Sequence, residues 1–278
     1  LANLVTLLSL IARQGSLQGP VTDFATIREK QLTGLEDFLP VNILIRPTPG
    51  TGGFVPQSFR ASGALIKNAW RSRGGHLQAW GKNLFYVRLP KAANTSCSFA
   101  VLKNNFPALP NTLTATQLNL ITDSWLEREV SSELTHLTGF TVVRHPLHRL
   151  VSVYRDFFER TDTDFLYNGY LFGVLPKSIS FAEFVHRISQ IPDRLKDQHF
   201  RPQHCFIEAY RKRKIPIRVF KLEQPEELQR FLAGYGMQLP HLNRHSGAYD
   251  YQSYYSAHTR ALALKMYTSD FSVFNYDQ

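Results

Sequence analysis

An α/β fold is predicted for this chain: a central, mainly parallel sheet between layers of helices, three layers in all, behind an irregular N-terminal extension. Three observations carry that expectation. From Leu84 onward, short apolar runs alternate with helical patterns, as a parallel sheet with crossover helices does. Each of the three clearest runs is followed by a helical segment. Before about Trp80 the periodicity is poor, and turn signals recur in RPTPGTGG (Arg46 to Gly53) and RSRGGH (Arg71 to His76).

Taken in order, residues 1–80 are expected to form the extension, packed on the core, with a helix within Asp23 to Phe38 and a short apolar run at Val41 to Ile45. Residues 81–278 form the main domain. Its strands are expected at Leu84 to Leu89, Phe140 to Arg144 and Ile217 to Lys221. The helix after the second strand is the best defined, because Pro146 suits a first helical position and Leu147, Leu150, Val151, Tyr154 and Phe158 recur at helical spacing. His145, Arg149, Ser152 and Asp156 form the opposite, exposed stripe. Further helices are expected over Phe181 to Ser189, Pro225 to Tyr235 and His258 to Asp270.

Composition bounds the chemistry. With 278 residues, 43% hydrophobic and 19% charged, the chain has ordinary globular composition. A formal charge of +10 favours acidic partners such as anionic glycans, phosphorylated cofactors, lipid headgroups or nucleic acid. Two cysteines, Cys97 and Cys205, are too few for a disulfide framework and lack the spacing of a zinc site, so no metal is expected. The opening LANLVTLLSLIA is too short and too polar to span a membrane, although an upstream anchor is compatible with a chain that starts at Leu1.

The most informative stretch is LFYVRLPKAANTSCSFAVLK, Leu84 to Lys103. A strand stops at Pro90-Lys91, and a helix restarts near Thr95-Ser96 after Ala92-Ala93-Asn94. The N–H groups of that helix start, from Ala93 to Ser96, are expected to face a lysine and two hydroxyls, an anion cradle. It lacks the Gly-x-x-x-x-Gly-Lys-Ser/Thr order of nucleotide triphosphatases, so the layout is P-loop-like with a different phosphate-bearing ligand. Asn94-Thr95-Ser96 is also a glycosylation sequon, and a glycan there would block the cradle. That favours a cytoplasmic protein, with the Golgi lumen and a removed anchor as the alternative.

A second anion site follows in FTVVRHPLHRLVSVY, Phe140 to Tyr154. Arg144 leaves a strand tip just before a helix that carries Arg149 and Ser152. A guanidinium, a hydroxyl and a helix N-terminus suit a second phosphate. Two such sites at neighbouring strand ends fit a nucleotide phosphorylated at both ends of its ribose.

At these residues the chain resembles the carbohydrate sulfotransferases of the chondroitin and HNK-1 type and their bacterial relatives. PKAANTS resembles the loop that binds the 5′-phosphosulfate of 3′-phosphoadenosine 5′-phosphosulfate (PAPS), and RHPLHRLVSVYR the motif that binds its 3′-phosphate. SFAEFV, DQHFRPQ, VFKLEQPEEL and MYTSDFSVFNYD extend the resemblance over roughly Leu84 to Asp277. Departures are His148, where an acidic residue is usual, and Phe200, where tryptophan is common.

The resemblance implies sulfuryl transfer from PAPS to an acceptor hydroxyl, most readily on a carbohydrate, acidic carbohydrates included. Lys91 would stabilise the leaving oxygen, and Ala93, Asn94, Thr95 and Ser96 would hold the 5′-phosphate. Arg144, Ser152 and Arg149 would take the 3′-phosphate, Arg149 being as well suited to a structural ion pair. Asn243, Arg244 and Ser246 resemble part of a loop that closes over the nucleotide. A neutral imidazole suits removal of the acceptor proton. His199, beside Asp197 and Arg201, is the first choice, with His136 second and His145 third. Two other readings stay open: a P-loop kinase-like enzyme, which would turn over ATP with magnesium, and a noncatalytic module for acidic glycans or nucleic acid. The second predicts binding that falls steeply with salt and ignores Lys91. No nucleic-acid motif is present.

Overall fold

The computed structural model describes residues 74–159, 175–240 and 250–278. Where apolar runs lack polar alternation, at 84–87 and 139–143, the strands are covered on both faces. β1 (His76–Ala79), β2 (Leu84–Val87), β3 (Thr138–Val143) and β4 (Ile217–Lys221) form one sheet in the order β1-β2-β3-β4. β1 runs antiparallel to β2, while β2/β3 and β3/β4 are parallel, with Leu84 opposite Thr138 and Gly139 opposite Ile217. All four residues of β2 are buried. Thr141 in β3 donates its hydroxyl to Val87 O at 2.9 Å and ties the two strands where β2 ends.

Among the described residues eight α-helices flank this sheet: α1 (Asn94–Asn105), α2 (Ala115–Trp125), α3 (Pro146–Tyr154), α4 (Phe181–Ser189), α5 (His204–Lys212), α6 (Pro225–Gly234), α7 (Ala257–Met266) and α8 (Thr268–Phe274). Their starts follow local chemistry. Thr114 with Gln117 and Ser256 with Thr259 form reciprocal caps for α2 and α7. Pro146 and Pro225 open α3 and α6. None of the described helices is long and apolar enough to cross a membrane.

Three expectations need correction. β1 lies within the stretch read as irregular. His76, Leu77 and Ala79 are buried and Gln78 is partly so, which leaves no buried-exposed alternation to read, and its hairpin to β2 is marked only by Gly81 (φ +72°) and Asn83 (φ +47°). The single terminal helix is two, because the chain breaks at Tyr267, whose buried hydroxyl donates to Phe200 O at 2.8 Å. The stripe opposite the apolar face of α3 is not exposed: Arg149 is 1% and Ser152 8% accessible, since neighbouring elements cover α3 on that side too.

The apolar face of α3 was read correctly. Leu147, Leu150 and Val151 are buried, and Tyr154 and Phe158 pack partly buried against a cluster that includes Phe181, Phe184, Ala263 and Phe271. Tyr254 and Tyr255 meet Phe181 edge-on at 5.5 and 5.0 Å, so they serve packing. The expected helix over residues 23–38, the run 41–45, the packing of the extension, and Asn243, Arg244, Ser246 and Tyr249 all lie outside the described residues.

Candidate active site

In a parallel sheet, ligands gather at the carboxyl ends of the strands. The loop after β2 and the segment after β3 both lie there. The β2 loop is a strained turn: Lys91 has φ +67° and Ala93 φ +54°, left-handed values that cost an L-residue about 1–2 kcal/mol each. Such turns let successive N–H groups converge on an anion. α1 then starts with Asn94, and its first helical bond runs from Cys97 N to Ala93 O at 3.0 Å. The N–H groups of Asn94, Thr95 and Ser96 precede that bond, and no acidic residue stands in the first turn to compete for them.

This loop is braced from beneath. Arg88, buried at the end of β2, donates Nε to Asn94 Oδ1 at 3.1 Å and is ion-paired with Asp123 of α2. Arg149 donates to Pro90 O at 3.1 Å, Arg201 O at 2.9 Å and Gln198 O at 2.9 Å. Its full burial pushes the guanidinium pKa below its ordinary value, yet three carbonyls satisfy it. Arg149 therefore stitches the β2 loop to residues 198–201, a structural role carried by backbone carbonyls and not by the ion pair considered for it, and its buried donors are turned to the protein.

Arg144 leaves β3 with its backbone clamped at both ends by Gln203, whose Oε1 accepts from Arg144 N at 2.9 Å and whose Nε2 donates to Arg144 O at 2.8 Å. Gln203 N in turn donates to Asp270 Oδ2 at 2.7 Å. The break before α8 thus brings a fully buried carboxylate to the site. Asp270 also accepts from His204 N and Nδ1, and pushes the His204 pKa up to about 10. The Arg144 side chain meets His148 Nε2 at 2.8 Å and approaches Lys91 O at 3.5 Å, which brings the two anion motifs together. Burial and the Arg144 charge lower the His148 pKa to about 4, so its ring stays neutral and accepts this bond. Its other support is Tyr251, stacked at 4.9 Å and 16°.

The three histidine candidates separate. His199 Nδ1 lies 2.6 Å from Asp197 Oδ1, which fixes the ring and, in the neutral form, leaves the lone pair on Nε2. The Arg149 stitch holds the neighbouring residues 198 and 201 to Pro90, so His199 belongs to the same site as Lys91. Arg201 is buried and donates to Arg194 O at 3.0 Å, which makes it a loop anchor and not an acceptor ligand. His136 is exposed and precedes β3 at the opposite end of the sheet, roughly 20 Å away along six strand residues at about 3.3 Å each. It is not brought to the site. His145 is half-buried against Tyr251, Phe271 and Tyr276, with Nε2 3.2 Å from Asp277 O, and burial lowers its pKa.

Asp156, Gln203 and Asp270 were missed as site residues. Asp156 Oδ2 lies 2.8 Å from Lys91 Nζ, with the two side chains 25% and 14% exposed. Arg144, His148, Ser152 and Asp156 recur every fourth residue, a spacing that could have marked one stripe. Gln203 and Asp270 sit within segments whose sequence was singled out, but only the tertiary contact pairs them. Cys97 is buried under the cradle, which raises its thiol pKa to about 12 and leaves it an inert core residue. No described group of His, Cys, Asp or Glu is arranged to hold a metal ion.

No curated protein and no solved structure matches this chain. The family model described as "Sulfotransferase family" matches residues 79–277, from the end of β1 to the C-terminus, and so includes both anion motifs. On that match the chain belongs to the sulfotransferase family, whose chemistry is sulfuryl transfer to an acceptor.

Proposed function

We propose that this protein transfers the sulfuryl group of PAPS to a hydroxyl of a carbohydrate, with His199 as general base. One observation carries the reading: two anion-binding motifs on adjacent parallel strands, joined where Arg144 Nη1 approaches Lys91 O at 3.5 Å. A nucleotide bearing phosphates at both the 3′ and 5′ positions suits that pair. PAPS supplies an activated S–O bond to the 5′-phosphate.

The chain's own groups supply the rest. Backbone N–H groups at Asn94 to Ser96 and the hydroxyls of Thr95 and Ser96 bind the 5′-phosphate, and the Lys91 ammonium meets the charge that grows on the leaving oxygen. Arg144 and Ser152 bind the 3′-phosphate. His199 Nε2 takes the acceptor proton as the acceptor oxygen attacks sulfur, and Asp197 stabilises the resulting imidazolium. The net charge of +10 suits an acidic glycan as acceptor. A cytoplasmic location is proposed with it, because the Asn94 amide is engaged by Arg88 and a glycan there would dismantle the cradle.

The test is calorimetric binding of adenosine 3′,5′-bisphosphate, together with transfer of labelled sulfate from PAPS into a panel of glycans, lipids and small alcohols. Nucleotide binding that weakens in Arg144→Ala, transfer that is slowed in Lys91→Ala, and label in glycans are the expected results. Absence of nucleotide binding would sink the reading. Label confined to non-sugar acceptors would remove its carbohydrate part. His199→Ala is expected to slow transfer about 10²–10⁴-fold, and His136→Ala to leave it unchanged.

A further inference from the structure

We propose that Asp156 is a positioning residue for sulfuryl transfer: it fixes the Lys91 ammonium for the leaving oxygen and gives up donor affinity to do so. This rests on the reading of Lys91 above. Lys91 is held at its backbone and at its tip by residues of α3, the residue that precedes it and the turn that continues it. At its backbone, Arg149 holds Pro90 O and Arg144 approaches Lys91 O, which keeps the residue in its left-handed conformation. At its tip, Asp156 Oδ2 holds Nζ at 2.8 Å.

Asp156 does not sit in ordinary helix. α3 widens at Arg155–Glu159 into one π-helical turn, a rare form found mostly as single turns at functional sites. That turn contacts both candidate reacting groups. Asp156 meets Lys91, and the buried neighbour Phe157 packs edge-on against His199 with ring centres 4.8 Å apart. One five-residue turn therefore sets the spacing between the cation and the imidazole. A regular helix would rotate residues 156 and 157 onto other directions.

The charges state the trade. A carboxylate beside an anion site disfavours a bound anion, so a site selected for donor affinity alone would not place one there. An ammonium has three N–H groups, however, so the bond to Asp156 does not saturate it. A lysine side chain is costly to order, and ordering it before the reaction moves that cost out of the transition state.

The test compares Asp156→Asn, Asp156→Glu and Lys91→Ala in the full chain. It reads conversion of PAPS to adenosine 3′,5′-bisphosphate, in water and with the acceptor panel, alongside calorimetric affinity for adenosine 3′,5′-bisphosphate. Asp156→Asn is expected to slow conversion about 10²-fold, the scale of a small misplacement of a reacting group. Its nucleotide affinity should be unchanged or tighter, which a merely structural loss would not produce. Asp156→Glu should recover part of the rate, and adding Asp156→Asn to Lys91→Ala should cost little more. A wild-type rate in Asp156→Asn overturns the proposal, as does a parallel fall in rate and affinity. If Lys91→Ala itself leaves rate and binding intact, the assignment of Lys91 fails, and the role of Asp156 falls with it.

Discussion

The two regions proposed to bind anions are built by different means. The loop from Pro90 to Ser96 is local: its strained turn and the first turn of α1 present backbone N–H groups that are neighbours in sequence. The Arg144 region is assembled from afar. Its guanidinium is oriented by His148, its backbone is clamped by Gln203, and that glutamine is held by Asp270 from the last helix. Backbone donors come with the fold of a few residues, whereas a long side chain must be held by others to act as a fixed ligand. The first region is thus readable as a motif, and the second depends on the whole domain.

Single substitutions should separate the two. Lys91→Ala is expected to lower the transfer rate about 10²–10³-fold, the scale of losing one preorganised charge at a developing anion. Because the backbone cradle remains, affinity for adenosine 3′,5′-bisphosphate should fall far less. Arg144→Ala should do the reverse and weaken nucleotide binding roughly 10–100-fold, as the loss of a charged hydrogen-bonding group does. Equal effects of both changes on rate and affinity would show that the division is wrong.

Asp270→Asn probes the remote support. Asp270 is fully buried and accepts bonds from Gln203 N, His204 N and His204 Nδ1. Its replacement should cost about 3–5 kcal/mol in denaturant unfolding, because it leaves a charged histidine without its buried partner. Nucleotide affinity should fall with it, through Gln203 and Arg144. A variant that loses stability but binds normally would cut that link.

Acidity offers a milder probe, since two histidines are shifted in opposite directions. The His204 pKa is raised to about 10, so its charged form stabilises the fold fully below its ordinary value near 6.5. That contribution is lost as pH rises from about 6.5 toward 10. Burial and Arg144 lower the His148 pKa to about 4, so the unfolded chain gains the proton first and stability declines as pH falls from about 6.5 toward 4. Unfolding midpoints across pH should therefore drop on both sides, and Asp270→Asn should flatten the alkaline side.

The smallest effect belongs to the strained loop. Ala93→Gly relieves a left-handed alanine at φ +54° but frees the unfolded chain as well, so stability should change by less than about 1 kcal/mol. Nucleotide affinity should weaken slightly, because the unbound loop becomes less fixed. A marked gain in affinity would mean that the strain opposes binding.

Much of the candidate site was legible in the sequence. Lys91, the helix start at Asn94 to Ser96, and Arg144 follow from strand-turn-helix patterns that read within a few residues. His199 was reachable because Asp197 lies two residues away. Asp156 was visible only as a polar residue on a stripe, and its pairing with Lys91 spans 65 positions. His136 misled for the opposite reason: closeness to a strand in sequence does not say at which end of the sheet a residue lies. β1 escaped notice because a strand of four residues is too short to establish a period.

The sequence by itself determined the α/β architecture, the two anion motifs and the apolar face of α3, because each is written in contiguous residues whose spacing matches a backbone period or a turn. Tertiary structure alone decided which polar groups brace the candidate site and which are presented at it. Arg149, Gln203 and Asp270 carry polar side chains that any ligand could use. Burial leaves each of them no place to satisfy its hydrogen bonds except the backbone of another segment, and that requirement turns them into the frame that holds Lys91, Arg144 and His199 together.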